Sequence, residues 1–104
     1  MKTRDIKTID ITAKEWFDKV NGNSYFSARL TVNYCMKNNF QIAIPFQYGY
    51  GNQYQWEAVK QMAYVFNLKK IKELSDLWRM KKQIILRSHI DRGCKKADVI
   101  EWGR

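Results

Sequence analysis

The chain predicts a small α+β domain, ordered β-α-β-β-α-α-β, with a mainly antiparallel sheet backed by helices on one face. Three observations lead there. From residue 24 to 48, apolar and polar residues alternate on either side of an Asn-Asn pair, the pattern of half-buried antiparallel strands. At 13–20 and again at 56–78, apolar residues recur at three- and four-residue spacing, the pattern of amphipathic helices. The 104 residues contain no repeat, low-complexity stretch or linker, so 1–104 reads as one domain. One sheet carrying its helices on one side is the economical way to bury such stripes.

The elements follow in order. Ile6–Ile11 is rich in β-branched residues and reads as a first strand. Thr12-Ala13-Lys14-Glu15 has the form of a capping box, in which hydroxyl and carboxylate satisfy free N–H groups reciprocally. Ala13, Trp16, Phe17 and Val20 then predict a helix over Ala13–Val20, stopped by a left-handed Gly22. That helix is expected to set Trp16, Phe17 and Val20 on the sheet face carrying Phe26, Leu30, Ile42 and Ile44. Ser24–Tyr34 reads as a strand and Asn38-Asn39 as a turn. The return strand alternates Phe40, Ile42, Ile44, Phe46 and Tyr48 on one face. Pro45 cannot donate to a ladder, so this strand is expected at an edge or with a bulge.

Gly49-Tyr50-Gly51 breaks the strand. Asn52 is expected to cap a second helix, with Gln55 in the reciprocal position and Val59, Met62, Ala63 and Phe66 buried beside Trp56. Asn67 is its stop. Leu68, Ile71, Leu74 and Trp78 predict a further helix laced with lysine. Ile84, Leu86 and Ile90, alternating with Ile85, Arg87 and His89, give the last main strand. A short strand is expected around Val99-Ile100.

Charge is the strongest compositional signal. The formal net charge is +9. Residues 67–96 form a basic segment, with ten lysines and arginines against three acids. Clustered positive charge attracts phosphate or acidic partners. Within it Lys69, Lys70, Lys72, Arg79, Lys81, Lys82, Arg87 and Arg92 are the candidate nucleic-acid contacts. Tyr25, Tyr48, Tyr50 and Tyr54 are the candidate aromatic or ligand patch, since exposed rings stack on bases of a single strand. In Phe46–Tyr54, tyrosines and glycines meet at a strand-to-helix junction. That junction either binds a ligand through close backbone approach and a helix N-terminus or is simply a tight turn. Neither GxGxxG nor GK[ST] occurs, and no helix-turn-helix, RNP or zinc-finger signature is present.

Catalytic and metal chemistry have little to draw on. His89 is the one histidine, and Asp10 and Asp18 have ordinary structural explanations. Cys35 and Cys94, without CxxC spacing, read as reduced thiols. No catalytic residue, metal site or cofactor is expected, and the chain does not read as an enzyme. No apolar run approaches the roughly 18 residues of a membrane span. The N-terminus lacks a signal-peptide core, so a cytoplasmic location without membrane contact is expected.

Trp16-Phe17, Gly22-Asn23-x-Tyr25 and Pro45-Phe46-x-Tyr48-Gly49-Tyr50-Gly51-x-x-Tyr54 form a pattern spanning about residues 9–66. It resembles a group of small bacteriophage- and prophage-encoded proteins that carry no settled activity. The resemblance implies a short accessory protein in the cytoplasm of an infected bacterium and assigns no catalytic residue. Most of the basic segment lies outside it. Three functions stay open: a module binding nucleic acid (single-stranded or RNA), a protein that binds and inhibits an acidic host protein such as a defence component, and a binder of a small anionic nucleotide.

Overall fold

The computed structural model describes residues 2–72, 75, 76, 79 and 84–104. A 3-10 turn, Thr3–Asp5, leads into β1 (Thr8–Asp18), β2 (Asn23–Val32) and β3 (Phe40–Tyr48). Helix α1 (Gln53–Val65), strand β4 (Ile85–Asp91) and a short helix, α2 (Lys96–Trp102), follow. The sheet runs β3-β2-β1-β4. β1–β2 and β2–β3 are antiparallel, and β4 joins the far side of β1 in parallel. The α+β class and the mainly antiparallel sheet agree with the sequence reading.

The helix expected over Ala13–Val20 is instead the second half of β1. Its ladder to β2 runs without a break from Ile9↔Val32 to Asp18↔Asn23, taking in both members of the expected capping box. Two effects explain the difference. An isolated eight-residue helix is marginal, whereas this half of β1 is paired with β2 throughout and with β4 as far as Lys14. The strand's period of two is also disguised, because Ile9, Ile11 and Ala13 are followed on the core face by a carboxylate, Glu15. That residue is 8% exposed, and its Oε2 lies 2.7 Å from Nη1 of Arg92. Phe17 and Val20 are therefore exposed rather than core. Gly22 is left-handed, with φ 69°, but closes the β1–β2 hairpin instead of a helix.

One sheet face carries the core: Ile9, Ile11, Ala13, Phe26, Ala28, Leu30, Val32, Ile42 and Ile44, covered by Tyr54, Ala58, Val59, Met62 and Ala63 of α1. α1 ends as expected at Asn67, φ 56°. The Asn67 N–H bonds to Tyr64 O and the Leu68 N–H to Ala63 O, the paired bonds of a Schellman stop. At its other end the expected cap is absent: the Asn52 side chain makes no cap bond, and the Gln55 amide donates to Ser88 Oγ and Tyr54 Oη instead.

β3 is both an edge strand and bulged. Phe26 pairs with Gln47 and Ala28 with Ile44, so Pro45 and Phe46 together oppose Ser27. The extra residue reverses the alternation that the sequence pattern extended through Phe46 and Tyr48. Both rings move to the second face of the sheet.

α2 also lies on that second face, where a helix on one face only and a short strand at Val99-Ile100 were expected. Ser27 Oγ donates to Val99 O, Arg29 Nε to Trp102 O, and Trp102 Nε1 donates to Thr12 O. Ser27, Arg29 and Thr12 alternate with core residues, so α2 covers their side. Val99 is fully buried there, apart from the main core cluster. Of the helix expected from Leu68 to Trp78, Leu68–Lys72 is non-helical, Ser75, Asp76 and Arg79 are helical, and Leu74 and Trp78 lie outside the described residues. No helix among the described residues is long and apolar enough to cross a membrane.

Candidate nucleic-acid interface

A basic pole forms where three distant segments meet. Asn33, at the start of the β2–β3 connection, is fully buried. Its Oδ1 accepts from the backbone N–H groups of Lys7 and Thr8, and its Nδ2 donates to Asp5 O. The N-terminal segment is thereby pinned to the connection. At the other end of the connection the Phe40 ring packs on Phe66, 5.2 Å between centroids, which brings in the chain following α1. Lys2, Arg4, Lys7, Lys37, Lys69, Lys70 and Lys72 are all exposed around this junction. Two acids stand here among the described residues: Asp5 Oδ2 accepts from the backbone N–H of Lys2, and Asp76 Oδ2 from that of Lys72. At this end of the sheet Tyr34, 63% exposed, lies on the second face and Phe40, 43% exposed, on the core face. Seven exposed cations on segments that meet at one end of the sheet form a surface suited to phosphates.

The sequence reading contributed Lys69, Lys70 and Lys72 to this pole and missed the other four cations and both rings. Their charge lies outside the dense basic segment, and the hydrogen bonds of Asn33 bring Lys2, Arg4 and Lys7 to the connection that carries Lys37. A buried asparagine at a strand end looks in the sequence like an ordinary turn residue.

The remaining nominated cations are elsewhere. Arg87 is on β4 in a two-point ion pair, Nε to Asp10 Oδ1 at 2.7 Å and Nη2 to Asp10 Oδ2 at 3.2 Å. Arg92 is paired with Glu15. Arg79 is exposed, and Lys81 and Lys82 lie outside the described residues.

The tyrosines divide too. Tyr54 is 4% exposed and belongs to the core, because the first turn of α1 points it at the sheet; it is no stacking surface. Tyr25 is half-buried, stacked on Phe46 at 5.2 Å and on Trp16 at 5.6 Å, with Tyr48 set edge-on at 5.8 Å. Tyr48 and Tyr50 are exposed. This aromatic cluster sits at the opposite end of β3 from Phe40, eight residue steps or about 27 Å away. Among the described residues, the nominated lysines Lys69, Lys70 and Lys72 and the nominated tyrosines therefore do not form one site.

Other cations accompany the aromatic end. Lys96 Nζ is 5.2 Å from the Trp16 ring centroid. Arg29 and Lys14 lie over the Trp102 ring at 3.8 and 4.9 Å. Both glycines of the Tyr-Gly-Tyr-Gly junction have structural explanations. A Cβ on Gly49 would fall 2.4 Å from the Phe26 ring, and Gly51 is left-handed at φ 63°.

Between the two ends, the second face holds a groove of about 390 Å³ lined by Asp10, Thr12, Thr31, Tyr34 and Arg87. His89 is exposed, its Nε2 2.7 Å from Asp91 Oδ1. Asp18, the last residue of β1, is held below the ordinary carboxylate range. The Asn21 side-chain amide is the main cause, with help from the Asn21 and Val20 backbone N–H groups and Lys96, against an opposing desolvation effect. Among the described residues no group of three or more His, Cys, Asp or Glu is placed to hold a metal ion. Compared with protein-family models, curated proteins and solved structures, the chain matches none.

Proposed function

We propose that this chain is a non-catalytic module that binds single-stranded nucleic acid through its basic pole. The observation that carries the reading is that Lys2, Arg4, Lys7, Lys37, Lys69, Lys70 and Lys72 are exposed on three segments that meet at one end of the sheet, where Tyr34 is exposed too. Lysine and arginine neutralise phosphates and release counterions, and an accessible ring stacks on a base regardless of its identity. The resemblance to phage- and prophage-encoded proteins supports placing this activity in the cytoplasm of an infected bacterium.

A titration of a fluorescent single strand, DNA and RNA in separate arms, tests the reading. Binding is expected at ~50 mM salt and should weaken steeply as salt rises. Failure of both strands to bind at that salt, where an electrostatic binder is strongest, rejects the reading.

A second reading has its own observation. Tyr48 and Tyr50 stand exposed beside the Trp16–Tyr25–Phe46 cluster, and Tyr and Trp are enriched where proteins bind proteins. On that reading the chain captures an acidic host protein by its aromatic end. Replacing Tyr48 and Tyr50 by Ala would then abolish capture while leaving strand binding unchanged.

A further inference from the structure

We infer that the outer edge of β4 pairs with β4 of a second copy of this chain, about a two-fold axis at Ser88. The two four-stranded sheets then become one continuous sheet. β4 ends the sheet order, so one side of its backbone faces no strand. The register decides which groups are left over. Ile85 is opposite Thr8 and donates its N–H to Lys7 O. In a parallel ladder this turns the N–H and C=O of Ile85, Arg87 and His89 toward β1. Those of Leu86, Ser88 and Ile90 point outward, and among the described residues these backbone groups have no hydrogen-bond partner. The opposite edge is blunted. Pro45 of β3 has no N–H to offer, the Gln47 amide donates to Pro45 O, and the bulge interrupts the ladder there. β4 carries no proline, lysine or bulge.

The strand fits a copy of itself. Turned about Ser88, Ile85–Asp91 sets Leu86 against Ile90 of the second copy, Ser88 against Ser88, and Ile90 against Leu86. These are the hydrogen-bonded pairs of an antiparallel ladder, in which each pair exchanges both N–H···O bonds. Every outward group of Leu86, Ser88 and Ile90 is thereby satisfied. Leu86 and Ile90 are half-buried against the core of their own chain, and their remaining apolar surface meets its counterpart across the axis. Charge selects a second copy over other partners. The chain carries +9, yet β4 holds one arginine and one aspartate, with Arg87 held by Asp10 and Asp91 by His89. A strand so nearly neutral lets two cationic molecules meet there, and it offers an acidic protein or a phosphate chain no added attraction.

Sedimentation equilibrium of the full chain, without nucleic acid, tests the pairing. Dimer is expected to grow with concentration and also with salt, because screening weakens the repulsion between the two cationic bodies. Single-strand binding weakens with salt instead, so failure of either property leaves the other standing. Ser88→Pro removes an outward N–H and no bond to β1, and should abolish the dimer. Ser88→Lys and Ser88→Glu each set like charges directly opposite one another across the axis, so each alone should be monomeric. Mixed in equal amounts, they should form a dimer again, because residue 88 of one copy meets residue 88 of the other. At low salt and low concentration, where the parent is expected to be monomeric, matching thermal midpoints show that the variants are folded. Three results overturn the inference: a parent chain that stays monomeric at high concentration and ~500 mM salt, a dimer undiminished in folded Ser88→Pro, or a Lys and Glu mixture that associates no more than either variant alone.

Discussion

Asn33 joins three parts of the chain with one side chain. It is left-handed at φ 55°, a conformation that asparagine tolerates better than most residues, and its amide satisfies two backbone N–H groups and one carbonyl. Asn33→Ala leaves buried groups without partners and adds backbone strain, so a loss of about 2–4 kcal/mol is expected in denaturant unfolding. Because the N-terminal lysines lose their anchor, strand binding should weaken in protein that is still folded. Gly49 makes a second prediction at this scale. With a Cβ 2.4 Å from the Phe26 ring, Gly49→Ala overpacks the core and should cost about 1–3 kcal/mol. A thermal midpoint equal to that of the parent protein would contradict the close approach. Ile44 and Phe17 form a contrasting pair. Ile44 is fully buried and Phe17 47% exposed, so Ile44→Ala should cost about 2–5 kcal/mol and Phe17→Ala much less.

At the scale of elements, β1 and β3 show what the sequence displays and what it hides. β2, the first half of β3, α1 and β4 are legible because apolar residues keep the period of their element and Asn67 marks a stop. The second half of β1 is not. Glu15 occupies a core-face position that an apolar residue would have announced, and Ala13, Trp16, Phe17 and Val20 match a helical stripe by coincidence of spacing. Pro45 does signal the bulge, but its consequence, the transfer of Phe46 and Tyr48 to the other face, follows only once the register with β2 is known. α2 is hidden for another reason: Val99 is its one fully buried residue, and backbone and ring contacts to Ser27, Arg29 and Thr12 hold it. The β1–β2 turn adds a pH prediction. The Asp18 carboxyl is held below its ordinary value, so it supports the hairpin at any pH above the unfolded-state pKa. That support is lost as pH falls through the lowered folded value. Asp18→Asn should flatten the acid limb of the stability–pH profile; an acid limb identical to the parent's would contradict the assignment.

At the scale of the whole molecule, the two ends of an elongated body of 45 × 25 × 20 Å differ in character. One carries exposed lysines and an arginine on three segments that meet there, and the other packs Trp16, Tyr25, Phe46 and Tyr48 together. The basic segment at 67–96 is visible in composition, yet it does not act as a unit: Arg87 and Arg92 are held in ion pairs, and Lys69, Lys70 and Lys72 join cations the segment does not contain. Charge counted along a chain locates excess; charge gathered by the fold locates a surface. The direct test compares the salt dependence of single-strand binding for the parent chain and for two variants. One variant replaces Lys7, Lys37 and Lys69 of the pole by Gln; the other replaces Lys14 and Lys96 of the aromatic end. Each phosphate neutralised contributes about 0.7 to the magnitude of the logarithmic salt slope for single strands. The pole variant should therefore lose about 2 from that slope, and the aromatic-end variant should keep the parent slope. A slope unchanged in the pole variant, or reduced only in the aromatic-end variant, would contradict the assignment of the pole as the binding surface.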